Sequence, residues 1–223
     1  MLKAIIFDLD GTLLDRDTSL KAFVENQHQR MVELQHIDKS VYVKRFVALD
    51  QRGYVWKDKV YQQLIHEFEL DLQWEDLLED YMHHFSLHCV GFPNLHELLT
   101  YLKESGFKLG LITNGYGTFQ MKNIEALRIS TYFDTILVSE IEGLRKPDPE
   151  IFHRALDRLG AQPGEAAYVG DHPENDVWAS RRVGMRGIWK EDDHFAGDFE
   201  REYTIRDLIE LKEYLEQLQT GLT

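Results

Sequence analysis

Near the N-terminus an apolar segment runs straight into two carboxylates, Ile5-Ile6-Phe7-Asp8-Leu9-Asp10, and Gly11 follows directly. Short and Ile-rich, residues 2–7 read as a strand buried on both faces, the kind found inside a parallel sheet. Side chains alternate along a strand, so Asp8 and Asp10 face the same way if the extended backbone continues. Gly11 predicts a sharp turn with positive φ. Like charges at the end of a buried strand are costly unless something positive meets them. A hard cation such as Mg²⁺ suits such a place, since it binds through one or two carboxylates plus a substrate phosphate. The competing reading is a plain hairpin, because Asp-Gly is a common turn dipeptide.

The rest of the chain decides between them. Residues 17–37, 40–51, 55–69 and 73–87 carry apolar side chains at helical spacing with no convincing strand between them, which predicts a compact helical unit. Asp17 or Thr18 is the expected cap of its first helix, and the region around Gly53 separates the second from the third. From residue 94 onward helices and strands alternate: strands are expected at 107–113, 135–138, 166–170 and 187–190, with a short sixth at 203–205. Helices are expected at 94–105, after Asn114-Gly115 to about 127, at about 150–159, after Pro173, and at 205–218. Such alternation implies right-handed crossovers and an open parallel sheet covered on both faces, with ligands outside the C-terminal strand ends. Asp8 and Asp10, Thr113-Asn114, Lys146 and Gly170-Asp171 all fall at those ends or in the loops that follow.

Each piece has an ordinary use on its own. Thr113-Asn114-Gly115 makes a helix-capping turn, Lys146 a solvated loop lysine, and Asp171 through Asp176 an acidic helix start. Together they suit phosphoryl transfer, which needs an oxygen nucleophile, an acid for the leaving alkoxide and positive charge around the equatorial oxygens. Asp8 is the candidate nucleophile and Asp10 the acid and base. Mg²⁺ would be held by Asp8, the Asp10 carbonyl, Asp171 and, through water, Asp176. Thr113 and the Asn114 N–H would hold phosphoryl oxygens, and Lys146 would screen Asp8 from the incoming dianion. Repulsion between unit charges about 4 Å apart is roughly 4 kcal/mol at an effective dielectric near 20, so that screening matters.

Asp8-Leu9-Asp10-Gly11-Thr12, Thr113-Asn114-Gly115, Lys146-Pro147-Asp148-Pro149 and Gly170-Asp171 with Asn175-Asp176 resemble the four signature motifs of the haloacid dehalogenase superfamily. The resemblance implies an α/β fold: a Rossmannoid, doubly wound parallel sheet of order 5-4-1-2-3, formed by residues 1–14 and 91–223. It further implies that residues 15–90 are a type-one helical cap opening and closing over the site, that the cofactor is Mg²⁺, and that an aspartyl-phosphate forms. Residues 111–117 and 132–152 are similar to the branch holding nucleotidases, phosphoglycolate phosphatases and N-acylneuraminate phosphatases. The expected substrate is a small phosphorylated metabolite. A 2-haloacid dehalogenase is the rival on carbon, but such enzymes typically lack an acid at the position of Asp10. A phosphomutase, which shares Asp10, and an inactive binding module are two further rivals.

The bulk numbers exclude several classes. A formal net charge of −14 argues against nucleic-acid and membrane-surface binding, which need basic patches. Cys89 is the only cysteine, so neither an intrachain disulfide nor a cysteine zinc site is expected. The N-terminal stretch lacks a long apolar h-region and no run approaches membrane-spanning length, so a cytoplasmic protein is expected. Within this acidic chain, residues 38–60 are locally basic, with Lys39, Lys44, Arg45, Arg52, Lys57 and Lys59. One or two of them are expected to reach a carboxylate or second phosphate of the substrate; a solvated helix face is the competing use.

Overall fold

The computed structural model describes residues 2–195 and 198–220. In chain order, β1 (Ala4–Phe7) is followed by four helices, α1 (Arg16–Arg30), α2 (Lys39–Asp50), α3 (Lys57–Phe68) and α4 (Trp74–His84). Then come α5 (Leu95–Glu104), β2 (Lys108–Thr113), α6 (Gly117–Ala126), β3 (Thr135–Val138), the short α7 (Ser139–Glu142), α8 (Pro149–Leu159) and β4 (Ala166–Gly170). The last elements are α9 (Ala179–Arg182), β5 (Arg186–Lys190), β6 (Tyr203–Ile205) and α10 (Glu210–Thr220). The chain divides into two compact units, Met1–Asp15 with Gly91–Thr223, and Arg16–Val90.

The first unit is the α/β one. Its six strands lie in the order β3-β2-β1-β4-β5-β6, every neighbour parallel. Reversed, that is 5-4-1-2-3 with β6 added at the β5 edge. All four residues of β1 are buried, as a central parallel strand requires. Phe7 pairs with Leu111 on one side and Val169 on the other, so β1 sits where the chain reverses its direction of travel across the sheet. That switch point opens a crevice at the C-terminal strand ends. On one face of the sheet Ala4, Ile6, Ile112, Leu137 and Tyr168 pack against Ile151, Phe152, Ala155 and Leu156 of α8. The ends of α8 follow from sequence: the Asp148 side chain accepts the Glu150 N–H at 2.9 Å, Pro149 opens the helix, and Gly160 closes it with φ 64°.

In this unit two expected helices form with altered geometry or bounds. The helix expected after Pro173 is instead a π-helical turn over Pro173–Trp178 before α9. The His172 Nδ1 accepts the N–H groups of Glu174 and Asn175 (3.1 Å each), the His172 N–H donates to Asp176 Oδ2 (3.0 Å), and the Val177 N–H reaches back five residues to the His172 carbonyl at 3.3 Å. The terminal helix starts at Glu210, not 205, because Ile205 pairs in β6 with Lys190.

The second unit is helical, with Leu20, Phe23, Tyr42, Phe46, Tyr61, Leu64 and Leu77 in its core. Its first helix ends at Arg30 rather than 37: Met31 is extended and a single 3₁₀ turn covers Val32–Leu34. Neither Asp17 nor Thr18 caps it. The helix begins one residue earlier, and Asp17 lies in the first turn, where a carboxylate complements the helix dipole. Asp38 is the cap that forms, accepting from the N–H of Ser40 and of Val41 ahead of α2. Gln51, Arg52 and Gly53 all have positive φ, and this is the break between α2 and α3. Among the described residues, no helix of either unit is long and apolar enough to cross a membrane.

Candidate active site

All the motif residues lie in the α/β unit. Beyond Phe7 the ladder continues by one bond, from the Asp8 N–H to the Val169 carbonyl at 2.9 Å. The chain then folds into a tight loop in which the Leu9 carbonyl accepts the N–H groups of Leu13 and Leu14. Gly11 is obligatory there, with φ 86°, and any Cβ at this position would collide with the Asp171 carboxylate. The first turn of the sequence motif is therefore shaped to let the fourth motif approach it.

Asp8, Asp171 and Asp176 converge, with one carboxylate oxygen from each lying within 4.8 Å of the others, and all three are buried. Lys146, itself 3% exposed, places its ammonium in their midst. It donates to Asp8 Oδ1 at 2.5 Å, to Asp176 Oδ1 at 2.7 Å and to the Tyr168 hydroxyl oxygen at 2.9 Å. Its backbone is fixed by Asn114, whose side-chain amide donates to the Lys146 carbonyl and whose Oδ1 accepts the Lys146 N–H, both at 2.9 Å. The Asn114 side chain is thus a brace for the lysine loop. Trp189 Nε1 donates to the Asp171 carbonyl at 2.7 Å and ties the fourth motif to β5.

Among the described residues Lys146 is the one ammonium paired with these three carboxylates, so within the hydrogen-bonded cluster negative charge exceeds positive by two when all are ionised, and buried Lys190 adds a positive charge felt at Asp171. Burial pushes the Asp8 carboxyl up to about 7; Lys146 opposes this, while Asp176 and then Asp10 add to it. Asp171 is raised well above the ordinary carboxylate range by burial, then by Asp8 and Asp176. For Lys146, burial favours the neutral amine, but the carboxylates of Asp176 and Asp8 prevail and hold it protonated. A cluster of hard oxygen donors with a surplus of two negative charges fits a divalent cation of the Mg²⁺ kind.

Asp10 stands apart from that trio. Its Oδ2 accepts from Gln120 Nε2 at 2.6 Å, and the same nitrogen lies 2.6 Å from Thr113 Oγ1. Thr113 is fully buried at the end of β2. Gln120 and Tyr168 were not legible as site residues from the sequence. The one available signal for Tyr168 is a hydroxyl in an otherwise apolar strand, Ala166-Ala167-Tyr168-Val169-Gly170.

The basic residues of 38–60 belong to the helical unit and mostly have partners there. Arg45 makes a two-pronged pair with Glu67 at the surface, Lys57 is buried against Asp50, and Arg52 lies 3.7 Å from Asp17.

The sequence model of the haloacid dehalogenase-like hydrolases matches residues 5–190. The glyceraldehyde 3-phosphate phosphatase of Pyrococcus furiosus is 28% identical over 230 residues, covering 98% of this chain and 93% of its own. The phosphoglycolate phosphatase of Aquifex aeolicus is 28% identical over 189 residues, covering 83% of each chain. Among solved structures, a HAD phosphatase from Thermococcus onnurineus superposes with a TM-score of 0.68 at 29% identity, covering 96% of this chain and 98% of that one.

Proposed function

Since the chain belongs to the haloacid dehalogenase-like hydrolases, we propose that it is a Mg²⁺-dependent phosphatase of small phosphomonoesters that works through a phosphorylated Asp8. The observation that carries this reading is the division of labour among the carboxylates. Asp8 lies with Lys146 in the trio that carries surplus negative charge, and Asp10 is held outside it beside Thr113. A carbon–halogen hydrolase has no need of the second position, because halide leaves without a proton. Relatives that are glyceraldehyde 3-phosphate and phosphoglycolate phosphatases support a substrate of that size.

An Asp8 carboxylate oxygen attacks phosphorus in line; the P–O bond to Asp8 forms as the ester P–O bond breaks. Asp10 gives its proton to the departing alcohol. Water then attacks the phosphorus of the aspartyl-phosphate and passes a proton to Asp10, the bond to Asp8 breaks, and inorganic phosphate leaves with both side chains restored. Lys146 keeps the dianion and Asp8 from repelling one another, and Thr113 with the Asn114 N–H binds phosphoryl oxygens. Asp8, the Asp10 carbonyl, Asp171 and, through water, Asp176 would hold the ion. Bound Mg²⁺ would supply the positive charge that keeps Asp8 ionised and draws electron density from the phosphoryl group. The helical unit is proposed to serve as the cap.

The test is phosphate release from a panel of nucleotides, sugar phosphates, glyceraldehyde 3-phosphate and phosphoglycolate, with Mg²⁺ and with EDTA. Mass spectrometry of acid-quenched enzyme is expected to find the phosphoryl group on Asp8. A covalent adduct on another residue, or full activity in EDTA, would overturn the proposal.

A further inference from the structure

We propose that Gln120 is a positioning residue that aims both Asp10 and Thr113, an inference that rests on the phosphatase reading. Gln120 lies in the first turn of α6 and is 2% exposed. Its Nε2 faces three oxygens: Asp10 Oδ2 at 2.6 Å, Thr113 Oγ1 at 2.6 Å and the Asn114 carbonyl at 3.4 Å. Its Oε1 accepts from Asn123 Nδ2 at 3.1 Å, one turn further along the helix. The orientation of this amide is dictated by chemistry. A carbonyl only accepts, and so does an ionised carboxylate, so turning the amide over would set oxygen against oxygen at both.

Two consequences follow from that fixed donor. An amide nitrogen cannot accept, so the short contact with Thr113 spends a lone pair of the hydroxyl and not its hydrogen. The Thr113 hydrogen is left to point at a phosphoryl oxygen. At Asp10, the bond holds Oδ2 and leaves Oδ1 to carry the proton to and from the substrate. One side chain therefore links the group that binds the phosphoryl oxygens to the group that protonates the leaving oxygen. It also accounts for the glycine of Thr113-Asn114-Gly115: a Cβ on Gly115 would come within 2.8 Å of Gln120 Cγ. The turn is bare because the glutamine passes over it.

A glutamine that only filled a buried polar gap would alter stability and affect all substrates alike. The discriminating measurement is leaving-group dependence. Gln120→Met keeps length and packing but removes both donors; Gln120→Glu keeps shape and sets a carboxylate against Asp10. Each is assayed with Mg²⁺ on p-nitrophenyl phosphate, whose leaving group departs without a proton, and on 2-glycerophosphate, whose alkoxide needs one. With Gln120→Met, kcat is expected to fall about tenfold on the aryl ester and about a hundredfold on the alkyl ester, the excess being the part that acts through Asp10. Gln120→Glu is expected to show at least the same excess, and either variant that retains a cooperative thermal transition suffices. Unchanged kcat, or equal losses on the two esters, would overturn the positioning role while leaving the phosphatase reading intact. Absence of phosphate release by the wild type from either ester would overturn both.

Discussion

Both units of this protein bury carboxylates, and they treat them in opposite ways. In the helical unit each buried acid among the described residues is matched. Asp50 is held by two cations, the Lys57 ammonium and the Arg16 guanidinium, the latter at 2.8 Å. Asp80 takes both prongs of Arg30 at 2.7 Å and a bond from Gln27, which in turn accepts from the Tyr61 hydroxyl. In the α/β unit Asp8 and Asp176 share Lys146, and Asp171 converges on the same two carboxylates. The electrostatic outcome diverges accordingly. Asp80 is pulled below the ordinary carboxylate range: burial would raise it, but the bonds from Arg30 and Gln27 and the Arg30 charge prevail. Asp8 is pushed up to about 7. A buried pair is expensive to break because the surviving charge stays desolvated, whereas a cluster with surplus charge fits a place that a ligand completes.

The contrast breaks most visibly at Asp8. Asp8→Asn is expected to reduce turnover by about four orders of magnitude or more, as loss of a nucleophile does, while raising the Tm of the metal-free protein because one surplus charge is gone. Steady-state kinetics and thermal unfolding check the two halves; a lower Tm would contradict the idea of an over-charged site. In the helical unit the same kind of deletion works the other way. Asp50→Ala removes the buried carboxylate that Lys57 and Arg16 share and is expected to cost about 3–5 kcal/mol by urea unfolding, with kcat of the folded fraction little changed.

Next come pH and metal. In EDTA-treated protein the folded state keeps the Asp8 proton up to about pH 7, while the unfolded chain loses it near 3.8, so this site makes stability fall as pH rises across that window. Asp80 contributes with the opposite sign: its stabilisation is present above the ordinary carboxylate value and is lost as pH falls through its lowered one. A Tm series from about pH 5 to about pH 8 is expected to slope downward for the metal-free wild type and to flatten in Asp8→Asn. Adding Mg²⁺ at the upper end is expected to restore about 2.7 kcal/mol at a hundredfold excess over Kd. The smallest effect is at Tyr42, whose buried hydroxyl has no hydrogen-bond partner among the described residues and whose titration is pushed upward by burial, then by the nearby Asp80 charge. Tyr42→Phe is expected to stabilise by about 1 kcal/mol in the same urea experiment, since it removes a desolvated polar group and little else.

The alternation of strands and helices was legible because buried parallel strands read as apolar runs and each is followed by turn chemistry; the order of the strands came from the resemblance of the motifs. The motif residues were legible because their types and order leave few other uses. What escaped was contact made through folding. Gln120 lies six residues beyond Asn114, on a helix with no strong amphipathic pattern, and a lone glutamine there looks like any surface residue. Lys57 reads as one charge in a basic stretch until Asp50, seven positions earlier, takes it out of water. The π turn at Pro173–Trp178 is capped by the His172 ring acting as an acceptor, a contact that local propensity does not encode.

The α/β unit carries its own closure at the place where the helical residues leave and return. Leu14 pairs antiparallel with Gly91, and the Phe92 N–H bonds to the Leu13 carbonyl at 3.0 Å. Backbones paired this way stand about 5 Å apart, a gap that a turn of a few residues can bridge. Arg16–Val90 is thus attached like a cassette. Such an arrangement lets the inserted segment be exchanged, lengthened or discarded while the sheet that carries it keeps its register, so the two parts are free to diversify at separate rates.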